Sequence, residues 1–322
     1  IHYDLIYESG MLINYTHRNL LTKNDELSVD FVVGDKLRYT VDYFVDNGFY
    51  YSYGISSRFN RFNTDVKFNA GNINEINIQY TDLTNRIYAQ TTFDRKFAIG
   101  IGLEHKKVES KTRTISAQTN QPFILDDSNY LNFISYINLD TYDDKNFPTK
   151  GIYFDADFTW YLMSSDYDDN FNQFSQIKGK LGFVKSFSDR FTIEYTSEAG
   201  FTLDEVVATN FDFSLGGYNQ NMINNFIPFY GYGFGDLSDQ TFLKSSFNFR
   251  YNHIKNHYIS FIANYARVEN SVLNGGALFD NTKSGYALGY SLKTFLGPID
   301  LKYSWSPETK NHYWNFNLGF WF

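Results

Sequence analysis

Alternation of apolar and polar residues along many short segments is the feature that most constrains how this chain folds. In IDLKYSW, at 299–305, Leu301 and its apolar neighbours occupy every second position, and Lys302 lies among the polar residues between them. The same period of two runs through GIYFDADFTWYL at 151–162 and FTIEYTSEAGFTL at 191–203. Because successive side chains of a β-strand point to opposite faces of a sheet, this pattern predicts a chain built mainly from β-strands.

The composition agrees with an all-β protein and excludes several classes of function. The 322 residues include 27 tyrosines and 33 phenylalanines, which favour strands. The formal net charge of −8 argues against a nucleic-acid partner, because a phosphate-binding surface must be basic. The absence of cysteine excludes disulfides and thiolate metal sites. No run of 18 apolar residues is present, so the sequence predicts no transmembrane helix.

Alternation alone fits either a soluble β-sandwich or a transmembrane β-barrel, because both have one apolar face and one polar face. Three further features favour the barrel. Aromatic residues recur at the ends of the predicted strands, where the aromatic girdles of a barrel lie. Short and long connections alternate along the chain. The sequence also ends on a strand with a terminal phenylalanine, as expected if the last strand closes a barrel.

The pattern predicts sixteen antiparallel strands in a single domain that spans 1–322. The strands are predicted at 2–8, 11–18, 26–33, 36–45, 49–60, 83–93, 96–107, 129–141, 151–162, 174–187, 190–203, 240–252, 257–268, 284–295, 298–305 and 311–322. Long connections are predicted at 61–82, 108–128, 163–173, 204–239 and 269–283. At the opposite ends of the strands the predicted connections are tight. Bacterial barrels keep their short turns in the periplasm. Both termini are therefore expected in the periplasm.

The connection LGGYNQNMINNFIPFYGYGFGDL, at 215–237, is unlike an ordinary solvated loop. It has five glycines and six aromatic residues but a single charge, Asp236. It is too apolar for an exposed loop, and glycine interrupts it too often for a strand or helix. Two arrangements remain open: the loop folds into the barrel lumen, where glycines allow close approach, or it packs on itself outside.

Several segments together resemble the Omp85 superfamily over the whole chain. RNLLTKNDELSVDFVVGDKLRYTVDYFVDNGFYYSYG is similar to that family's opening hairpins, and DTYDDKNFPTKGIYFDADF resembles its turn before the ninth strand. FYGYGF, SGYALGY, KTFLGPIDLKYSWSPETK and NFNLGFWF look most like the C-terminal barrel of patatin-like phospholipases of Bacteroidetes. The resemblance implies a sixteen-stranded outer-membrane barrel with the 204–239 loop folded into its lumen.

The resemblance also implies a set of site residues in and around this loop. The matching positions are Gly216, Gly217, Phe229, Tyr230, Gly231 and Tyr232. The family's usual core is Val-Arg-Gly-Phe or Val-Arg-Gly-Tyr, in which the arginine pairs with an acidic residue on the thirteenth strand. Here Tyr230 replaces the arginine and Asn264 stands at the partner position, so a neutral pair is expected in place of the ion pair.

Two further groups of residues follow from the same resemblance. The turn before the ninth strand contributes Asp143, Pro148 and Gly151. The first and last strands are expected to meet at a seam, which opens laterally in this family. The residues expected at that seam are Tyr3, Leu5, Phe316, Phe320 and Phe322.

The sequence leaves two principal functions open, and neither makes this chain an enzyme. A patatin needs a Gly-x-Ser-x-Gly elbow, and none is present, so any lipase domain would lie upstream of residue 1. In the first interpretation the barrel anchors or translocates such an N-terminal lipase. In the second it is a stand-alone Omp85-like barrel that inserts or translocates protein or lipid. A passive diffusion channel is disfavoured by the loop in the lumen.

The expected partners follow from these two interpretations. They are outer-membrane lipid, an upstream patatin domain, and a second copy of the chain or a larger outer-membrane complex. No cofactor, metal or catalytic residue is predicted.

Overall fold

A computed structural model describes residues 10–34, 36–70, 73–94, 96–115, 122–165, 171–204, 211–218, 225–270, 281–295 and 297–319. These residues form eighteen β-strands and no α-helix. Within the same ranges, no helix is long and apolar enough to cross a membrane. The predicted all-β class is therefore confirmed for the part of the chain that the structure describes.

The strands follow one another along the chain with mostly short connections. In order they are β1 Gly10–Arg18, β2 Asp25–Gly34, β3 Leu37–Val45, β4 Ser52–Ala70, β5 Ile73–Phe93, β6 Phe97–Ile115, β7 Pro122–Asp140, β8 Lys150–Ser165, β9 Phe174–Ser186, β10 Phe191–Leu203, β11 Phe213–Leu215, β12 Phe226–Ile227, β13 Leu237–Asp239, β14 Thr241–Ile254, β15 His257–Glu269, β16 Lys283–Thr294, β17 Gly297–Trp305 and β18 His312–Leu318.

Fifteen of these strands form one large sheet in which sequence neighbours pair, except that β10 pairs with β14. The registers of β1 through β6, and of β10 and β14 through β18, are antiparallel. The fifteen strands coincide with the second to sixteenth predicted strands. The first predicted strand, 2–8, lies outside the described residues. The remaining three strands, β11 to β13, form a separate small sheet.

Two predicted connections, 61–82 and 108–128, are wrong, because most of their residues extend the neighbouring strands. The β4–β5 ladder continues from Ser52↔Gln90 to Ala70↔Ile73, and β6 and β7 run to Ile115 and from Pro122. The alternation continues past the predicted boundary, but beyond it the apolar residues lie on the opposite face of the sheet. Arg61 and Asn63 are exposed on the face that carries apolar residues lower in β4, whereas Phe62 is buried on the other face.

The chain divides into two compact units, which are described separately below. The N-terminal unit comprises 7–137 and 157–175, and the C-terminal unit comprises 1–6, 138–156 and 176–322. The single domain predicted for 1–322 stays a prediction.

In the N-terminal unit the apolar residues point out and the polar residues are covered. Ile55 and Ile87 are direct partners on β4 and β5, and their side chains are 55% and 68% exposed. On the opposite face of the same strands, Ser52, Asn60 and Asp82 are buried. A water-soluble sheet has the reverse arrangement, whereas a strand that faces lipid presents its apolar side chains outward.

Several charged and amide groups on the polar face of this unit bind one another. Asn60 Nδ2 donates to Asp82 Oδ1 at 2.6 Å, and Arg86 Nε lies 2.6 Å from Glu104 Oε2. Asn132 Nδ2 donates to the other oxygen of Glu104 at 2.8 Å. Because a buried charge without a partner is strongly destabilising, these bonds allow charged residues to lie on a covered face.

The C-terminal unit has the same distribution of side chains. On its outward face Leu288, Leu301 and Phe316 are exposed, with Phe316 at 67%. On its polar face Asn264 and Ser304 are almost fully buried. An apolar outer face therefore runs along the described strands of both units.

The exposed isoleucines give a direct test of what surrounds the outward face. Replacement of Ile87 with lysine should destabilise the protein by about 2–4 kcal/mol, as for a cation placed at mid-membrane depth in a barrel strand. Replacement of Asn63 with lysine, beyond the point where the outward face becomes polar, should change stability by less than about 0.5 kcal/mol. Urea unfolding of the protein in lipid vesicles measures both. If the Ile87 variant is as stable as the Asn63 variant, the outward face does not lie in lipid.

Candidate functional site

The long loop (204–239) between β10 and β14 is the largest departure from the simple order of strands, and it contains the small sheet. β11 pairs with β12 in parallel and with β13 antiparallel. The loop backbone closes further on itself, because Gly217 N donates to Tyr232 O at 3.0 Å and Phe229 N donates to Gly217 O at 3.2 Å. The described parts of this loop, 211–218 and 225–239, thus form an ordered element.

The small sheet packs against the polar face of β14 and β15. Phe213, Leu215 and Phe229 from the loop are at most 1% exposed, and they form one cluster with Phe242 and Ala266. Phe242 and the buried Lys244 are two residues apart on β14 and therefore lie on the same face. Ala266 of β15 is the direct partner of Lys244, so it lies on that face as well. Burial of each phenylalanine contributes about 1.5–3 kcal/mol to loop docking.

Asn264 on β15 holds the tip of the loop through its backbone. The Asn264 Oδ1 atom accepts a hydrogen bond from Tyr230 N at 2.9 Å, and Nδ2 faces Tyr230 O at 3.4 Å. The same Nδ2 donates to Gly285 O at 2.8 Å. The structure therefore brings the predicted neutral pair together, and the bonds run through the Tyr230 peptide groups. A side-chain amide suits this position because it both donates and accepts.

Two glycines permit the close approach of the tip to the large sheet. A side chain on Gly285 would overlap the carbonyl oxygen of Tyr230. Gly231 has φ +85°, a left-handed conformation that strongly favours glycine, and a side chain there would meet the carbonyl of Trp305. Gly231 was predicted from the loop motif, whereas Gly285 was not, because its role appears only once the register of β15 and β16 is known.

Beneath the tip, β17 presents an ion pair to two loop tyrosines. Lys302 Nζ lies 3.9 Å from Asp300 Oδ1 and donates to the Tyr218 hydroxyl at 3.0 Å. The Tyr218 hydroxyl in turn donates to Asp300 Oδ2 at 3.3 Å. Burial raises the pKa values of Tyr218 and Tyr230, so both hydroxyls stay protonated at neutral pH.

The turn between β17 and β18 closes over the other side of the tip. The Glu308 carboxylate accepts hydrogen bonds from Ser284 N at 3.1 Å, Ser284 Oγ at 2.7 Å, Ser306 Oγ at 2.5 Å and the Tyr232 hydroxyl at 3.4 Å. Thr309 Oγ1 donates to Gly231 O at 3.3 Å. Partial burial disfavours the charged form of Glu308, but the hydrogen bonds outweigh it and lower its pKa.

The predicted turn residues lie at the other end of the same face of the C-terminal unit. Asp143 accepts from Thr149 N at 2.7 Å and Oγ1 at 2.5 Å, which closes the turn on itself, and Gly151 follows at the start of β8. The Pro148 carbonyl accepts a hydrogen bond from the Arg250 guanidinium on β14. The three predicted positions thus belong to one folded turn.

Further contacts of this turn were not predicted from the sequence. Phe147 stacks on Tyr258 of β15, with ring centroids 4.5 Å apart, and the Arg250 guanidinium lies 5.8 Å from the Phe147 ring. Asp144 pairs with Lys293 of β16. Each contact joins residues about a hundred or more positions apart, and no local sequence pattern indicates such a partner.

The predicted seam residues are only partly within the described part of the chain. Phe316 lies on β18, the last strand of the large sheet, and points outward. Tyr3, Leu5, Phe320 and Phe322 lie outside the described residues. Among the residues that the structure describes, no group of three or more histidine, cysteine or acidic side chains is arranged to hold a metal ion.

Comparison with known proteins identifies one family. The sequence pattern of the OMP85 superfamily matches residues 1–322. A search of curated proteins finds no significant match.

Solved structures show a similar fold. BamA from Haemophilus ducreyi lacking POTRA domains 1–3 is 12% identical, with a TM-score of 0.69, and the match covers 94% of this chain and 65% of that one. CdiB from Acinetobacter baumannii is 13% identical with a TM-score of 0.59, and CdiB from Escherichia coli is 12% identical with a TM-score of 0.61. These two matches cover 95% and 92% of this chain and 55% of each CdiB chain. This chain therefore spans less than two thirds of the length of each of these proteins.

Loss of the Asn264 amide should undock the loop tip. Replacement of Asn264 with leucine leaves the Tyr230 peptide groups and the Gly285 carbonyl without their partner, at an expected cost of about 2–4 kcal/mol. The control is the replacement of Asn315, on the polar face at β18, with leucine. This change should lower the free energy of unfolding by less than about 1 kcal/mol. Equal losses for the two variants in urea unfolding would contradict a special role for Asn264.

The Glu308 contacts should weaken in acid. A carboxylate with a lowered pKa in the folded state stabilises the fold above the ordinary glutamate pKa and loses this effect as the pH falls through the folded value. The unfolding midpoint of the wild type should therefore exceed that of Glu308→Gln between pH 6 and 8, and the two should converge below about pH 4. A difference that is constant across this range would contradict the assignment.

Proposed function

This chain belongs to the OMP85 superfamily, and we propose that it acts as a β-barrel that inserts or translocates protein or lipid. Members of this family are outer-membrane barrels, so the chain is assigned to the bacterial outer membrane. The observation that carries the proposal is the combination of an apolar outward face and a polar face on which an ordered loop is docked.

The proposed barrel has sixteen strands. Fifteen are present in the large sheet, and the segment 2–8, which has the same alternation, supplies the sixteenth between β1 and β18. In this arrangement the polar faces of both units line the lumen, the loop lies inside it, and both termini lie in the periplasm. Tyr3 and Leu5 on the first strand would then meet Phe316, Phe320 and Phe322 at the seam.

A docked loop distinguishes this proposal from a passive diffusion channel. Because the loop covers part of the polar face, the intact protein should conduct poorly in a planar lipid bilayer. Deletion of 216–235 should raise the single-channel conductance about threefold or more, as expected when a loop that occludes a lumen is removed. Deletion of 49–50, in the exposed turn between β3 and β4, should leave the conductance unchanged. A high conductance in the intact chain, with no change on deletion of 216–235, would contradict the proposal.

A finer proposal is that this barrel is the membrane domain of a patatin-like phospholipase. It is supported by the resemblance of FYGYGF and NFNLGFWF to that group. The barrel would then anchor or translocate an N-terminal lipase, and catalysis would lie outside this chain. The mass and N-terminal sequence of the native protein test this proposal directly. A native mass near 38 kDa would contradict it and leave a stand-alone barrel, alone or within a larger outer-membrane complex.

A further inference from the structure

The docked tip of the long loop carries no charge of its own. The segment NFIPFYGYGFG, at 225–235, contains no acidic or basic residue, although it lies on a face that carries several. Of the charges near the tip, Glu308 binds Tyr232 from the turn after β17. Lys302 and Asp300 are two residues apart on β17 itself and therefore lie on the same side of the strand.

Lys302 contacts two aromatic rings of the loop at once. Its Nζ atom is 4.7 Å from the centroid of the Tyr218 ring and 6.0 Å from that of Tyr230. The two rings are themselves 5.7 Å apart. An ammonium group within about 6 Å of a ring centroid is attracted by the negative face of the ring, and the attraction is stronger where water is excluded. The Lys302 side chain is only 14% exposed.

The counter-ion of Lys302 belongs to the strand and not to the loop. Asp300 lies 3.9 Å from Lys302 Nζ, and its carboxylate is held by the Ser291 hydroxyl of β16. When the loop leaves, the lysine and the aspartate therefore remain together. Undocking breaks the contacts with the Tyr218 hydroxyl and the two rings but separates no opposite charges.

We propose that Lys302 is the positioning residue of the long loop, which docks by placing the neutral pair Tyr218 and Tyr230 over a cation fixed in the sheet. Asn264 binds the backbone of the tip and fixes its distance from the sheet. Lys302 binds the rings at 218 and 230 and therefore favours aromatic side chains at these two positions. The loop can thus dock and release without exposing an unpaired buried charge. The importance of this step for transport rests on the proposed function, whereas the docking contact itself does not.

Chymotrypsin cleavage of the folded protein measures the docking, because the enzyme cuts after the aromatic residues of the loop once they are exposed. Lys302→Met should speed cleavage within 218–234 about tenfold, which corresponds to the loss of a desolvated cation–π contact. Lys302→Arg keeps a cation over the rings and should stay within about threefold of the wild type. Lys293→Met removes a lysine from the same face of the sheet, at the end of β16 opposite to Gly285 and the loop tip. This variant should leave the cleavage rate unchanged.

The effect of salt tests the absence of charge separation. If undocking separates no ion pair, the cleavage rates at 50 and 500 mM salt should agree within about twofold, because salt screens the attraction between charges that are pulled apart. An increase of more than about fivefold with salt would overturn the proposal. A Lys302→Met variant that is cleaved at the wild-type rate would also overturn it. So would a Lys302→Arg variant that is cleaved as fast as Lys302→Met.

A second variant covers the case in which Lys302→Met does not fold. Tyr218→Leu leaves the strand intact and should speed cleavage about fivefold to tenfold, whereas Tyr218→Phe keeps the ring and should stay within about threefold. Equal rates for these two variants would overturn the ring contact. The assay is independent of conductance, so a failure of the proposed function does not affect it. If deletion of 216–235 raises the conductance while Lys302→Met is cleaved like the wild type, only this inference fails.

Discussion

A sheet with an apolar outer face is stable only if its polar face satisfies its own hydrogen bonds and charges. Lipid supplies neither, and a covered polar group without a partner destabilises the fold. In the N-terminal unit part of this requirement is met within the sheet, where Asn60 binds Asp82 and Arg86 binds Glu104. In the C-terminal unit the long loop and the turn before β8 also cover part of the polar face.

The long loop is therefore as much a part of the fold as a candidate for function. Its apolar side chains bury Phe242 and Ala266, and its backbone binds the amide oxygen of Asn264. The tip, 225–235, brings no charge of its own to that face. A tip held by contacts that separate no opposite charges can be stable when docked and can still leave without a large electrostatic cost.

The sequence predicted the strands well because a period of two is a local property that needs no knowledge of partners. It failed at 61–82 because the apolar residues change face at Arg61, so that a single-face pattern ends where the strand does not. On β6 the same change precedes 108–128, since Ile101 and Leu103 are exposed on one face and Val108 is buried on the other. The tip residues Tyr230 and Asn264 were indicated through resemblance, but the sequence does not indicate which atoms bind, and in the structure the bonds use the Tyr230 peptide groups. Lys302, Gly285 and Glu308 were missed because their roles depend on which strands lie beneath the loop, and only the register of β15 to β18 decides that.

The central claim is that the outward face meets lipid while the loop tip does not, and tryptophan fluorescence in brominated lipids tests it most directly. Trp314 is exposed on the outward face of β18. In a variant in which Trp314 is the only tryptophan, brominated acyl chains should quench most of its emission. In a second variant, with Tyr230→Trp as the only tryptophan, they should quench little. Efficient quenching of Trp314 by aqueous iodide but not by brominated lipid would contradict the account, because the outward face would then lie in water.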